Sequence, residues 1–397
     1  MGRAGFGRRL GTKMGMVATI SEVGRKYLRM HLASGVGPVR LRKLIEHFGS
    51  IDAMLGVSVG ELQRVSGVGP KVAEAVFRAR DGDAVEHEIA RASECGARIV
   101  CLADEDYPKP LLHIPDPPTC LYVRGRLEAT DGLAIAIVGT RRCSHYAREQ
   151  ALRFGELLAG AGFTIVSGFA RGVDGYAHEG ALRAGGRTIA VLGNGLSEIY
   201  PEEHADLAER VVESGAIVSE LPMDVAPDSK NFPGRNRIIA GLSMGVLVVE
   251  AGRGSGALIT AEAATDYNRE VFAIPGAVDR PELTAGSNGL IRDGAAKLVT
   301  CLEDILDELK DVGELMARGA PKEDERGVVR EGGDGALLRV LTAQQRAVFD
   351  AVVSGAEDVD AVCEASGADA ASVMTALTSL QIRGLVRQLP GNRFVRR

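Results

Sequence analysis

Between residues 85 and 310 the chain alternates short apolar runs with longer stretches of helical period. The runs Ala134–Val138, Thr164–Ser167, Thr188–Leu192, Ala216–Ser219, Gly245–Glu250 and Val271–Ile274 are mostly continuous and rich in β-branched residues. Strands of that kind are buried on both faces, so the pattern predicts a parallel sheet covered by helices on each side. Ligands of such sheets lie beyond the strand C-terminal ends. The informative residues should therefore follow these runs.

Two smaller blocks flank this core. From residue 25 to 84 the pattern is of short helices, punctuated twice by one turn: Ser34-Gly-Val-Gly-Pro38 and Ser66-Gly-Val-Gly-Pro70. Helical apolar spacing follows each turn, at Val39, Leu41, Leu44 and Ile45, then at Val72, Ala75 and Val76. The duplication resembles a helix-hairpin-helix pair of the SAM-like kind. Gly35, Gly37, Gly67 and Gly69 let backbone N–H groups approach a phosphate, proline opens each following helix, and Lys71 stands close behind with Arg40, Arg42 and Lys43. The equally weighted alternative is a pair of turns that merely join packed helices. Residues 311–335 are charged, Gly-rich and aperiodic, which predicts a linker. Beyond it, over 336–397, Gln344–Val353, Val359–Ala365 and Ala370–Ile382 read as helices, and Leu385–Leu389 and Arg393–Val395 as strands about a Pro390-Gly391-Asn392 turn. That is the outline of a winged helix, which takes either DNA or protein as its partner. Residues 1–24 read as a disordered tail, with Met14 or Met16 as alternative starts.

Charge changes the picture more than composition does. The net charge is −6, yet residues 1–80 carry 14 Lys and Arg against 5 Asp and Glu, a net of +9 that leaves −15 on the rest. A basic front end on an acidic body suits a polyanion-binding module. The six cysteines are scattered without Cys-x-x-Cys spacing, so neither a zinc site nor a disulfide framework is expected. They read mostly as small buried apolar residues, reduced in a cytoplasmic protein. No apolar run reaches the length of a membrane span, and the start lacks a secretory h-region.

The residues after the strands repeat one chemistry. Val138-Gly-Thr-Arg-Arg-Cys-Ser144 offers Thr140, Arg141, Arg142 and Ser144 to phosphate oxygens but lacks the dinucleotide fingerprint. Ser167-Gly-Phe-Ala-Arg-Gly-Val-Asp-Gly-Tyr-Ala-His178 supplies Ser167, Gly168 and Arg171. Its Asp174 and His178 stand four apart on a helix, a base with its orienter, a metal pair or, more commonly, a structural contact. Glu250-Ala-Gly-Arg-Gly-Ser-Gly-Ala-Leu-Ile-Thr260 opens a helix with Ser255, Gly256 and Thr260, a geometry that holds anions. Glu250 reads as an acid/base or, preferably, as the anchor of Arg235 or Arg237. The densest signal is Asn231-Phe-Pro-Gly-Arg-Asn-Arg-Ile-Ile-Ala-Gly-Leu-Ser243. Arg235, Asn236 and Arg237 follow a Phe-Pro-Gly turn at an expected helix start, with no acid between Lys230 and Glu250, whereas the bland reading is a solvated turn. P-loop, nucleophile-elbow and metal-ligand spacings are absent, so the site looks built to hold a polyanion, without metal or cofactor.

Taken together, Val138-Gly-Thr-Arg141, Ser167-Gly-x-Ala-Arg-Gly-x-Asp-x-x-Ala-His178, Ala190-Val-Leu-Gly-x-Gly195, Phe232-Pro-x-Arg-Asn-Arg-Ile-Ile-Ala-Gly-Leu-Ser243, Ser255-Gly-Ala-Leu-Ile-Thr260, Ala273-Ile-Pro-Gly276 and Gly286-Ser-Asn-Gly-Leu-Ile291 resemble the bacterial DNA-processing protein A family, DprA or Smf. The resemblance covers most of residues 30–305. It implies an α/β, extended Rossmann-like, doubly wound core over 85–310 that binds single-stranded DNA, a helix-hairpin-helix front domain and a winged-helix tail. It also implies a homodimer that protects incoming DNA during natural transformation, loads RecA recombinase and works on strands covered by single-strand-binding protein. Carried onto this chain, the phosphate-pocket residues are Arg141, Ser167, Arg171, Arg235, Asn236 and Arg237. Phe169, His204 and Ser287 depart from the family's usual residues at those places.

The expectation is therefore a non-enzymatic, sequence-independent strand binder, with Phe232 and Tyr146 as stacking candidates. Gly35, Gly37, Gly67, Gly69 and Lys71 form a secondary DNA site. Ile238–Leu242 and the strand near Val271 are the candidate dimer surface. The alternative is a nucleotide phosphoribohydrolase of the lysine-decarboxylase-like group, working through Glu250, Asp174 and His178.

Overall fold

The computed structural model describes residues 20–309, 341–389 and 393–396. The start of the expected tail, the 311–335 linker and the Pro390-Gly391-Asn392 turn lie outside those residues. Helix α1 (Glu22–Leu32) begins within the stretch read as tail, where the Ser21 hydroxyl accepts the Gly24 N–H at 2.8 Å and caps it. Helices α2 (Pro38–Phe48), α3 (Ile51–Gly56), α4 (Val59–Leu62) and α5 (Pro70–Arg78) follow. Pro38 and Pro70 open α2 and α5 directly after the repeated turns, where a proline lacks nothing by having no N–H. Leu41, Leu44, Met54, Leu62, Ala73 and Val76 share the core of this unit.

Helix α6 (Ala84–Glu94) and α1 join that unit to the sheet, since Val85 and Leu28 pack with Ile99, Tyr122 and Ile217. The sheet strands are β1 (Ala97–Cys101), β2 (Cys120–Gly125), β3 (Ala134–Val138), β4 (Thr164–Ser167), β5 (Thr188–Val191), β6 (Ala216–Ser219), β7 (Gly245–Val248), β8 (Glu270–Ala273) and β9 (Lys297–Leu298). Their order is β1-β2-β6-β5-β4-β3-β7-β8-β9, parallel from β6 to β9 and antiparallel at β1, β2 and β6. The chain builds outward from β3 first through β4, β5 and β6, then returns to place β7 and β8 on its other side. That reversal makes the C-terminal end of β3 a topological switch point.

Further core helices are α7 (Lys109–Leu112), α8 (His145–Gly160), α9 (Val173–Arg183), α10 (Ala205–Ser214), α11 (Asn231–Leu242), α12 (Gly256–Asp266) and α13 (Pro281–Arg292), and residues 302–309 are helical as well. Helices α8 and α9 bury Phe154, Leu158, Val173 and Ala177 against Ile135, Ile137 and Ile165. Helices α11 and α12 cover the opposite face with Ile238, Ile239, Ala261 and Ala264. This corrects the candidate dimer surface. Ile238, Ile239, Ala240, Leu242 and Val271 are interior residues of one chain and are not available for pairing. Cysteine burial is also narrower than expected: Cys101 and Cys120 are buried, facing each other across β1 and β2, and the other four are half-buried.

Helices α14 (Ala343–Val353), α15 (Val359–Ser366) and α16 (Ala370–Ile382) carry the antiparallel pair β10 (Val386–Leu389) and β11 (Arg393–Arg396). Val348, Val362, Leu377, Leu380 and Phe394 give this winged helix its own core.

Candidate functional site

A cleft of about 470 Å³ opens at the switch point. Its walls are the 139–142 loop after β3, the 252–256 loop after β7 and the second turn of α11. The turn after β4 contributes Ala170, and α9 contributes Asp174. Of the expected phosphate residues, Arg141, Arg235, Asn236, Ser255, Gly256 and Thr260 meet here. Gly168 and Arg171 line a smaller adjoining recess with Phe169, Asn194 and Tyr200. Arg141 and Phe232 border both.

Helix α11 begins at Asn231, so Phe232, Pro233 and Gly234 form its first turn instead of preceding it. Proline is tolerated there because first-turn N–H groups have no intrahelical acceptor. The arginines consequently sit one turn further in, and each is already engaged. Arg235 is 6% exposed and donates to the carbonyls of Gly168 and Val191, the ends of β4 and β5. Its Nε donates to the Asn236 Oδ1 at 3.1 Å, while Asn236 Nδ2 donates to the Gly256 carbonyl at 3.0 Å. Burial lowers its pKa to about 10, partly offset by Asp174, so it stays charged at neutral pH. Arg235 is thus a buried cation beneath the cleft that ties two strands to α11.

Arg237 is not a cleft residue. Its Nη2 donates to both Glu220 oxygens at 2.6 and 2.7 Å, and its Nε lies 3.1 Å from Asp116. The absence of acids between Lys230 and Glu250 hid this, because the neutralising carboxylates come from distant segments. Glu250 anchors neither arginine. It accepts the Ser144 N–H at 3.0 Å and hydroxyl at 2.6 Å, holding the start of α8. Ser167 is fully buried and donates to the Ile137 carbonyl at 2.6 Å, which makes it a bond between β4 and β3. Arg171 is exposed but fastened to Glu203, one of its bonds measuring 2.7 Å.

The cations that face solvent at the cleft are Arg141, Arg142 and Arg253. Arg141 lies over the Phe232 ring, 4.5 Å from its centroid. Arg253 precedes Ser255, whose hydroxyl caps α12 by accepting the Ala257 N–H at 3.3 Å. The open first turn of α12 therefore faces the space beneath these guanidiniums, and a helix start attracts anions. Arg253 lies in the same Glu250–Thr260 motif as Ser255, Gly256 and Thr260, and the structure adds it to the expected cleft residues. Two acids also border the cleft. Glu282 is exposed at its rim, and Asp174 is buried, its pKa raised by desolvation against the pull of Arg235 and the Ala170 N–H.

Asp174 and His178 do not pair. Asp174 accepts the Ala170 N–H at 3.2 Å, whereas His178 Nδ1 lies 2.6 Å from the Thr188 hydroxyl. Of the three groups named for a hydrolase, only Asp174 lines the cleft, while Glu250 is held by Ser144 and His178 by Thr188.

In the front unit, Arg40 Nε donates to the Gly67 carbonyl at 2.9 Å and its Nη1 to Gly35, so one side chain binds the two repeated turns together. Gly37, Lys43 and Gly67 line a hollow of about 270 Å³ between them, while Gly35, Gly69 and Lys71 are not among its walls. Arg42 donates to the Pro115 carbonyl at 2.6 Å and links this unit to the core.

No described helix is long and apolar enough to cross a membrane, and no group of three or more metal-type ligands occurs among the described residues. Comparison with known proteins gives a consistent result. The model of DNA recombination-mediator protein A matches residues 98–310, that of the DprA winged-helix domain 335–392 and that of a SAM-like helix-hairpin-helix tandem 27–79. Protein Smf of Escherichia coli is 40% identical over 377 residues, 94% of each chain. DNA processing protein DprA of Streptococcus pneumoniae is 36% identical over 277 residues, 70% of this chain and 95% of that one. The X-ray structure of the Streptococcus pneumoniae protein superposes with a TM-score of 0.63 at 34% identity, covering 72% of this chain and 97% of that one.

Proposed function

Because the chain belongs to the DNA recombination-mediator protein A family, whose members process DNA in recombination, we propose that its switch-point cleft holds single-stranded DNA by the backbone. The observation that carries this reading is the three-layered charge of the cleft. Solvent-facing Arg141, Arg142 and Arg253 stand over the start of α12, and the buried Arg235 lies beneath. The exposed guanidiniums and Gly256 contact phosphate directly, whereas Arg235 and Asn236 fix the loops and add positive potential from below. Phosphate contacts carry no sequence information, so binding is sequence-independent and weakens with salt. Phe232, and Tyr146 further out, supply limited stacking to the bases.

The family supports the wider role. The protein shields single strands in the cytoplasm as a homodimer, works on DNA covered by single-strand-binding protein and helps RecA load, without catalysing a reaction of its own. The helix-hairpin-helix turns at Gly35, Gly37, Gly67, Gly69 and Lys71 give a secondary DNA contact.

Fluorescence anisotropy with a labelled oligothymidylate tests the cleft. Arg141→Ala with Arg253→Ala should weaken binding about tenfold, a change of about 1.4 kcal/mol. Unchanged affinity in that folded variant removes the cleft from the account. RecA filament growth on protein-coated single strands, with and without this protein, tests the loading step separately.

A further inference from the structure

Among the described residues, three side chains of the winged helix converge on the turn that ends α8. Helix α8 finishes at Gly160, and the carbonyls of Ala161 and Gly162 project beyond it. A helix end leaves its last carbonyls without intrahelical donors and carries partial negative charge. Three winged-helix side chains supply what is missing. Gln345 Nε2 donates to the Ala161 carbonyl at 2.8 Å, the Ser379 hydroxyl donates to the same oxygen at 2.7 Å, and Arg383 Nη2 donates to the Gly162 carbonyl at 2.5 Å.

These donors are set in place before they touch the core. Gln345 is the third residue of α14 and closes a capping box, its Oε1 accepting the Thr342 N–H at 3.1 Å. That bond fixes the amide so that only Nε2 can face Ala161. Ser379 and Arg383 stand one turn apart at the C-terminal end of α16. Gln345 and Ser379 are each 2% exposed, so the contact is dry. On the core side Gly162 has φ +88°, and a Cβ there would stand 2.7 Å from the Gln345 amide and collide with Arg383.

Helix α16 is the third helix of the winged fold, the position from which a helix-turn-helix protein reads the major groove. Here its sequence, Ala370–Ile382, contains no lysine or arginine; its C-terminal half buries Ala376, Leu377 and Leu380 in the domain's own core and presents Ser379, with Arg383 just beyond, to the core turn. The guanidinium and ammonium donors that make the commonest contacts to phosphate and guanine are therefore missing from this helix.

We infer that the winged helix is a protein-docking module whose third helix caps α8 of its own core and does not read DNA. The contact lies at the end of α8 opposite Ser144, and 16 residues at the helical rise put it about 24 Å from the cleft. The docked domain therefore leaves the proposed DNA path open. The inference depends only on the docking contact, not on what the cleft binds.

Two measurements on the full-length protein test it. Small-angle scattering should give a compact particle for the wild type and a larger radius of gyration for Gln345→Ala/Ser379→Ala/Arg383→Ala. Arg383→Gln alone should shift it in the same direction, and circular dichroism checks that both variants are folded. An extended wild type, or a folded triple variant as compact as the wild type, overturns the docking. In the second measurement, Ala371→Glu/Met374→Glu places two negative charges on the exposed part of α16. Oligonucleotide affinity should stay within twofold for single and double strands, whereas a fivefold or greater loss on either assigns α16 to DNA and overturns the inference.

Discussion

Arg235 and Gly168 are fitted to each other: the guanidinium donates to the Gly168 carbonyl, and the space a Gly168 side chain would need is the space the guanidinium fills. The glycine after β4 is therefore required by a buried arginine from α11, over a sequence separation of 67 residues. Gly168→Ala should consequently cost about 1–3 kcal/mol of stability, the range for overpacking a closed site. Chemical denaturation measures this directly. A Gly168→Ala protein as stable as the wild type would show that Arg235 can move aside and is not the fixed floor of the cleft.

Arg237 separates stability from binding. Removing it leaves Glu220, whose pKa is already raised by burial, facing Asp116 without a cation. Arg237→Ala should destabilise the fold by about 2–3 kcal/mol. In the surviving folded protein, oligonucleotide affinity should remain within about threefold, less than the 1.4 kcal/mol of a tenfold effect. A tenfold loss of affinity without loss of stability would return Arg237 to the interface.

The pH response of the fold comes partly from His178. The Thr188 hydroxyl donates to the Ile165 carbonyl at 2.8 Å, so it accepts from His178 Nδ1–H, and Nε2 is left buried without a partner. Burial lowers the His178 pKa to about 3, with His204 and Arg235 adding smaller repulsions. A lowered folded pKa contributes stability that is present above the unfolded value near 6.5 and lost as pH falls toward 3. His31, lowered to about 4 by burial, acts in the same sense. Each buried histidine contributes a slope of up to about 1.4 kcal/mol per pH unit inside its window. Urea melts between pH 7 and 5 should show His178→Gln with a shallower loss of stability than the wild type. Equal slopes would mean that His178 takes up its proton in the folded state.

Most of the architecture could be read from local pattern because buried parallel strands announce themselves as apolar runs. All six expected strands occur, with ends displaced by no more than two residues. Strands β1 and β2 are not legible in this way because their connection is a long loop that carries α7 and no hairpin turn, so no local signal joins Ala97–Cys101 to Cys120–Gly125. The site was legible as a set of loops but not as a set of contacts. Arg235, Arg237 and Arg171 look alike in sequence, yet one binds strand-end carbonyls, one a carboxylate pair from distant segments and one Glu203. Partners so far away in sequence are set by topology, which residue type and spacing do not encode. Arg253 is illegible locally for a related reason. Its neighbours Gly252, Gly254 and Ser255 signal a turn and a helix start, whereas its exposed position beside Arg141 across the cleft depends on β3 and β7 being adjacent.

The central claim, that Arg141 and Arg253 grip phosphates of a single strand, is tested most directly by the salt dependence of binding. Affinity for an oligothymidylate should fall linearly on logarithmic axes, with each single-strand phosphate contact contributing about 0.7 to the slope. Arg141→Ala/Arg253→Ala should lower that slope by about 1.4, and a duplex of equal length should bind more weakly than the single strand throughout. A slope unchanged in the folded double variant, or a duplex bound more tightly than the single strand, would contradict the account.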